Sequence, residues 1–408
     1  MSTEAENDRV RWLTPGVRGI GLASLLSDLG HEVPTALLPS FLTSTLGAPA
    51  AALGLIEGIA DGVAGAAKFA GGALADDPLR RRTVAVGGYT ATAVLSSLIG
   101  LAMTVWQLAV LRIGAWLARG IRGPARNALL ADVTSPGTYG RAYGFERMMD
   151  NLGAVGGPLL ALALVAAIGI RSAILVSGVF GLAAAGSIVY AIRHIERPVD
   201  RQRRPIRIHV RPLLRGRLGR LWVPVAAFEA GNLATTLLIL RATELLTPDA
   251  GLESATRTAL LLYALHNIVA SVVSIPAGRT ADRWGYPPVL GLGFLSGLVA
   301  YMLFGLAAAH SVVLAVAFIA AGLTIGLVET AENGAVADAA PDDLRGSAFG
   351  LLAAIQSFGN LVASGIAGLL WTLVSPRAAF LFAAAGMAVA VISILAMGGF
   401  KPRVSREA

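Results

Sequence analysis

Asp28, His31 and Glu32 fall close together within an otherwise apolar stretch. Their spacings of three and four residues put all three on one helical face. Two carboxyls and an imidazole at one level can take up and release a proton. Burial favours the neutral acid and a nearby arginine favours the carboxylate, so a small rearrangement switches the state. These three residues are the expected proton-coupling site. The same trio has the donors for a hard or borderline cation, but nothing elsewhere completes a coordination shell, so no metal site is expected.

More charges recur in apolar surroundings. Glu57 and Asp61 lie four apart, and Arg112, Arg119, Arg122 and Arg126 follow spacings of seven, three and four that make one stripe along a helix. Glu146, Arg147, Asp150 and Asn151 form a fourth group, and a sparser set follows: Glu229, Asn232, Arg241, Glu244, His266, Asn267, Glu329, Glu332, Asn333, Gln356 and Asn360. At about 1.5 Å of rise per residue, three tiers of opposite charge are expected. Arg112 lies level with Glu57 and Asp61 in an outer tier, Arg119 with Asp28 and Glu32 in the middle, and Arg122 and Arg126 with Glu146 and Asp150 in an inner tier. No Walker loop, H-E-x-x-H or G-x-S-x-G element is present. An enzyme is not expected, nor a cofactor.

The elements that must carry these groups follow from composition. Of 408 residues, 55% are apolar and 14% charged, with 48 glycines and no cysteine. A soluble chain carries about 25% charged residues, so a soluble enzyme is disfavoured. Twelve apolar runs are long enough to cross a bilayer, at roughly 18–46, 51–75, 83–104, 106–131, 141–168, 171–192, 222–247, 257–278, 288–308, 311–337, 346–373 and 376–399. Residues 1–15 are polar, and the run after them is too long for the apolar core of a cleavable signal. An ionisable group facing lipid at mid-depth costs about 2.5–3.5 kcal/mol, so those inside spans must face a cavity or a partner.

Arginines crowd one side of the spans: Arg9, Arg11, Arg80 to Arg82, Arg141, ten arginines within 193–220, Arg279, Arg283, Arg345 and Arg403. The other side has little more than Arg171, Arg257 and Arg377. The charge bias makes the first side cytoplasmic, with both termini there. The basic stretch reads as a linker at the lipid headgroups and not as a nucleic-acid site. The expected organisation is a tail at 1–17, a six-helix bundle at 18–192, the linker at 193–221, a second six-helix bundle at 222–399 and a tail at 400–408.

A shift of 206 residues superposes the halves. Gly72 and Asp76 fall on Gly278 and Asp282, Asn127 on Asn333, Asp132 on Asp338, and Gly140-Arg-Ala-Tyr-Gly144 on Gly346-Ser-Ala-Phe-Gly350. This is the parallel-repeat plan of many secondary transporters.

The motifs resemble those of the major facilitator superfamily. Gly72-Ala-Leu-Ala-Asp76-Asp77-Pro78-Leu79-Arg80-Arg81 is similar to its G-x-x-x-D-R-x-G-R-R loop, with Asp77 at the usual basic position and Leu79 at the glycine. Gly278 to Gly285 keeps the D-R-x-G core, and Arg112 ahead of Asp132 resembles the fourth-span motif. Gly153-x-x-x-Gly157-Pro158 resembles the first half of the antiporter motif, without its trailing glycines. The resemblance implies an all-α membrane protein of twelve transmembrane helices in two pseudo-symmetric six-helix bundles. It implies a cavity lined by spans one, four, seven and ten, with Asp28, Glu32, Arg119, Arg122, Arg126, Glu329, Glu332 and Asn333 facing it. It also implies gating by Asp76, Asp132, Arg141, Asp282, Arg283, Asp338 and Arg345. The expected function is alternating-access antiport, exporting an amphiphilic or drug-like molecule against protons across a bacterial inner membrane. The alternatives are a lysophospholipid, siderophore or other anionic metabolite, a metal ion, or a non-transporting membrane sensor or enzyme. The expected partners are a small-molecule substrate, protons and the lipid bilayer, with the protein a monomer.

Overall fold

The computed structural model describes residues 12–194, 210–306 and 310–397. The expected N-terminal tail to residue 11, most of the basic linker and the expected C-terminal tail lie outside them. Helices dominate, in the order α1 (Pro15–Ser40, continued by a π-turn Phe41–Thr45), α2 (Ala50–Leu74), α3 (Pro78–Leu98, then a 3₁₀ turn), α4 (Val105–Asp132), α5 (Tyr139–Ile168) and α6 (Ile170–Arg193). After a short turn at Val210–Leu213 come α7 (Gly216–Glu229), α8 (Thr235–Ala250), α9 (Leu252–Trp284), α10 (Tyr286–Leu306), α11 (Ser311–Ala339), α12 (Arg345–Leu373) and α13 (Pro376–Ala396).

Local chemistry fixes several starts. Thr14, Asp77, Thr104 and Ser375 accept backbone N–H groups at the N-termini of α1, α3, α4 and α13, and prolines 15, 78 and 376 begin three of them. Proline suits that position because its missing N–H would be unpaired there anyway. Asp77, which departs from the family motif, is the cap of α3: its Oδ1 accepts from Leu79 N and Arg80 N.

Eight of the described helices are long and apolar enough to span a membrane by length and composition. The four crossings outside that set are α1, α2, α4 and the seventh. These carry Asp28, Glu57, the arginine stripe and Glu229, so the least lipid-like helices hold much of the interior charge.

The seventh crossing is not the continuous span expected at 222–247. Residues 230–234 are unwound between α7 and α8. Side chains satisfy the backbone groups freed there: Leu233 N donates to Tyr301 Oη at 3.0 Å, Ala234 N to Ser364 Oγ at 2.9 Å, and Asn360 Nδ2 to the Asn232 carbonyl at 3.1 Å. Such partners let a helix break at membrane depth.

In the first half, α1 packs on α5 and α6, and α4 on α2 and α3; in the second, α9 and α10 flank α11. The halves meet through α2 with α12 and α5 with α9. A Cβ added to Gly72 would come within 2.7 Å of Gly350 Cα, and one on Gly140 within 2.3 Å of the Gly278 carbonyl oxygen. Only glycine permits this approach. Farther along α2 the helices part: a Cβ on Gly65 would meet Ser357 at 3.5 Å, and on Gly62, Gly58 or Gly54 nothing within 4 Å. The bundle is closed at its arginine-rich face and splayed toward the other.

Candidate functional site: a charged central cavity

Between the halves lies a cavity of about 890 Å³, lined by α1, α2, α4 and α5 on one side and by α11, α12 and the broken seventh crossing on the other. Asp28, Arg119, Arg122, Arg126, Glu329 and Asn333 line it, as do Asp61, Arg147 and Asp150. Glu332 does not. It is fully buried behind the wall, where Gln356 Nε2 donates to its Oε2 at 3.0 Å. Glu32 is also absent from the lining and sits against Gly157 of α5.

In the outer tier, Arg112 grips Glu57 with two bonds of 2.8 Å, from Nε and Nη2, and donates to Thr35 Oγ1 at 3.1 Å. Its guanidinium lies 3.3 Å from the Trp116 ring centroid, a close cation–π contact. Asp61 does not join that pair and accepts instead from Trp116 Nε1 at 2.9 Å.

In the middle tier, His31 Nδ1 stands 3.4 Å from Asp28 Oδ1, and its Nε2 3.4 Å from Glu32 Oε1. The imidazole thus sits between the two acids, held by a 2.7 Å contact from Nδ1 to the Ser27 carbonyl and edge-on to Trp116. Arg119 reaches Asp28 at only 4.0 Å, with its side chain 38% exposed. Among the described residues, no group of three or more acids and histidines is arranged to hold a metal ion.

The inner tier is a network across both halves. Arg126 pairs with Glu146 at 2.8 Å and Asp150 at 3.4 Å, while Arg147 pairs with Glu146 at 2.8 Å, Asp150 at 3.3 Å and Glu329 of α11 at 3.2 Å. The expected place of Arg122 in this tier is corrected. It donates to Ser27 Oγ at 2.7 Å and lies 3.8 Å from the Tyr89 ring of α3. The estimated depth put it level with Glu146 and Asp150, but it lies about one turn nearer Asp28: Arg126 reaches Ser24 of α1, and Arg122 reaches Ser27.

Gly153 and Gly157 seat α1 on α5. A Cβ on the first would meet Asp28 Cβ at 2.7 Å, and on the second Glu32 Cβ at 2.3 Å. The antiporter-like motif therefore fixes the helix that carries both acids. Sequence reasoning missed Lys68, which lines the cavity from α2 and donates to Ser357 Oγ of α12 at 2.7 Å. A signal was there: it is one of two lysines in the chain and lies in a span.

The family model described as Major Facilitator Superfamily matches residues 20–248 and 243–407. This chain belongs to the major facilitator superfamily. An uncharacterised MFS-type transporter of Methanocaldococcus jannaschii is 27% identical over 398 residues, 96% of each chain, and an uncharacterised protein of Mycobacterium tuberculosis is 27% identical over 357, covering 86% of this chain and 85% of that one. Among solved structures, a bacterial homologue of the iron transporter ferroportin in an outward-facing state has a TM-score of 0.76 at 14% identity, covering 94% of this chain and 99% of that one. The human organic anion transporter MFSD10 has a TM-score of 0.68 at 15% identity, with 93% and 99% covered. At these identities the likeness is one of fold. This superfamily member is a secondary transporter of a small molecule.

The superfamily loop motifs form the closed end. Asp282 accepts from the backbone N–H of Gly140 at 2.6 Å and of Arg141 at 3.0 Å, and from Arg141 Nε at 3.0 Å. Its repeat partner Asp76 accepts from Ser347 N at 2.7 Å and from the Ser347 hydroxyl. Each carboxylate thus caps a helix N-terminus of the opposite half, where the peptide dipoles favour negative charge. Asp132 accepts from Arg81 Nη1 at 2.6 Å and lies 3.6 Å from Arg345 Nη1. Arg81, taken from sequence as a loop charge, is buried here, and Nε also donates to the Ala75 carbonyl at 2.7 Å. Arg283 and Asp338 lie near this same face, at the ends of α9 and α11.

Proposed function

We propose that this transporter carries an amphiphilic organic anion by alternating access, coupled to protons at Asp28, His31 and Glu32. One observation carries the reading: the cavity presents two under-matched cations. Lys68 has no carboxylate oxygen within 4 Å among the described residues, and Arg119 reaches Asp28 only at 4.0 Å. A carboxylate or phosphate between them would replace water on both, and Phe69, Phe358 and Leu361 of the same lining offer apolar contact to the rest. An anion that draws Arg119 from Asp28 also favours a proton on Asp28. By reciprocity, a proton on Asp28 favours the anion. That linkage supports movement of both in one direction. By the charge bias the closed face is the cytoplasmic one, in the bacterial inner membrane, with the protein a monomer.

A second reading, export in exchange for protons, keeps the support of the antiporter-like motif Gly153, Gly157 and Pro158, whose two glycines seat the acid-bearing α1 on α5. Purified protein in liposomes, tested for uptake of a panel of amphiphilic anions under a pH gradient of either polarity, tests both. Uptake toward the alkaline side supports co-transport, and uptake toward the acidic side supports exchange. Asp28→Asn should remove the dependence on the gradient. An unchanged dependence in Asp28→Asn would overturn the coupling assignment.

A further inference from the structure

Every acid of the middle and inner tiers in the first half has a basic side chain within 4 Å. The second half differs. Glu229 ends α7, immediately before the unwound residues 230–234, and is buried; Glu332 of α11 is fully buried. Among the described residues neither has a basic nitrogen within 4 Å. Among the described residues their side-chain donors are amides alone: Asn232 Nδ2 to Glu229 Oε2 at 3.1 Å and Gln356 Nε2 to Glu332 Oε2 at 3.0 Å. Glu332 Oε1 has no hydrogen-bond partner. Both glutamates lie against one turn of α12: Gln356 donates to Glu332, and a Cβ added to Gly359 would come within 2.5 Å of Glu229 Cβ.

Two neighbouring carboxylates without a cation repel, so each disfavours the charge on the other. The helix end adds to this, since the C-terminus of α7 presents carbonyl oxygens and partial negative charge to Glu229. A proton answers all three features: it removes one charge, makes one carboxyl a donor, and supplies a hydrogen where Oε1 has none. Discontinuous helices place their unwound carbonyls and C-terminal ends at coupling-ion sites in other transporters. Water has access, because Glu229, Asn232 and Gln356 line the cavity.

The other ionisable groups facing the pair are Lys68 from α2, Glu329 one turn before Glu332 and itself paired with Arg147, and Tyr301 from α10. Tyr301 is engaged at the break through Leu233 N and at 3.4 Å from Asn232 Oδ1. Lys68 lines the same cavity as Glu229 from the opposite half. Its approach or withdrawal as the halves move relative to each other changes the pair's hold on a proton. We infer that Glu229 and Glu332 share one proton across the broken seventh crossing, and form a second proton-carrying site in the half opposite Asp28.

The test needs no substrate. Infrared difference spectra of the full-length protein in liposomes, recorded as pH is stepped, report the carbonyl band of a protonated, water-shielded carboxylic acid. The wild type should show such a band. Glu229→Gln and Glu332→Gln should each abolish or displace it, and Glu332→Asp, which keeps a carboxyl with altered geometry, should shift it. Asp28→Asn should leave it in place, which separates this site from the coupling assignment above: failure of one does not entail failure of the other. A band unchanged in all three glutamate variants would overturn the assignment. So would a band that disappears when sodium replaces choline in the buffer, since the pair would then hold a metal cation instead.

Discussion

Asn127 Nδ2 donates to Asn333 Oδ1 over 2.9 Å, and these residues are copies of one another at the 206-residue period of the repeat. An element that pairs with its own copy lies beside the axis relating the two halves. Both residues line the cavity, so the pair bridges α4 and α11 on its wall. The contact exists only while the halves are together at this depth.

The chain has no native cysteine, so this contact can be tested by cross-linking. In the double variant Asn127→Cys/Asn333→Cys, a short thiol cross-linker should join the two positions within one molecule in native membranes. Transport should be lost on linking and return when a cleavable linker is reduced. Absence of any intramolecular product would mean that the wall does not close there.

Arg112 and Glu57 test the outer tier. Arg112 is almost fully buried, and both its bonds to Glu57 are short. Removing one partner of a buried pair leaves the other charge uncompensated, at a cost of about 3–5 kcal/mol. Glu57 is 30% exposed at the side chain, so Glu57→Gln should fall at or below the lower end of that range, and Arg112→Ala should cost more because the Trp116 contact goes too. Thermal unfolding in detergent should show both losses, with the double variant Arg112→Leu/Glu57→Leu regaining part of them. Equal stability of Glu57→Gln and wild type would show the pair to be dispensable.

The Asp76 contact should respond to pH. Burial pushes its carboxyl above the ordinary carboxylate range, against the opposing effect of the Ser347 bonds. A carboxyl raised in the closed state binds its proton more tightly there than in the open state. Its contribution to closure is therefore present at low pH and lost as pH rises through the raised value. Labelling of a cysteine placed at Ser357, probed from the arginine-rich side, should increase as pH is raised through that range. Asp76→Asn should flatten the profile, and an unaltered profile in that variant would place the pH response elsewhere.

The repeat and the crossings were legible because they are properties of the chain's order: apolar length and a fixed offset survive any detail of packing. The levels of Arg112 and Arg126 were legible for the same reason, since rise per residue sets depth. Which neighbour each charge meets was not. Arg122 shares the stripe spacing of Arg126 but goes to Tyr89, and Asp61 shares the level of Arg112 but goes to Trp116. Which neighbour claims a charge depends on a third helix. The break in the seventh crossing was hidden because its backbone partners, Tyr301, Ser364 and Asn360, lie 68, 130 and 128 residues away. Glu332 was expected in the cavity by position on its span, whereas it is buried against α12, where Gln356 donates to it.

Residues 230–234 have a mechanical consequence. An intact helix resists bending through its ladder of backbone bonds, and this stretch replaces rungs of the ladder with single side-chain tethers. Those tethers come from α10 and α12, so the outer segment α8 is hung from its neighbours and is not a rigid extension of α7. Among the described residues the first half has no equivalent joint: α1 runs unbroken through the same depth, with Pro34 and Pro39 inside it. Two halves that agree in sequence at a fixed offset therefore differ in compliance, and a load applied evenly across the cavity bends one side before the other.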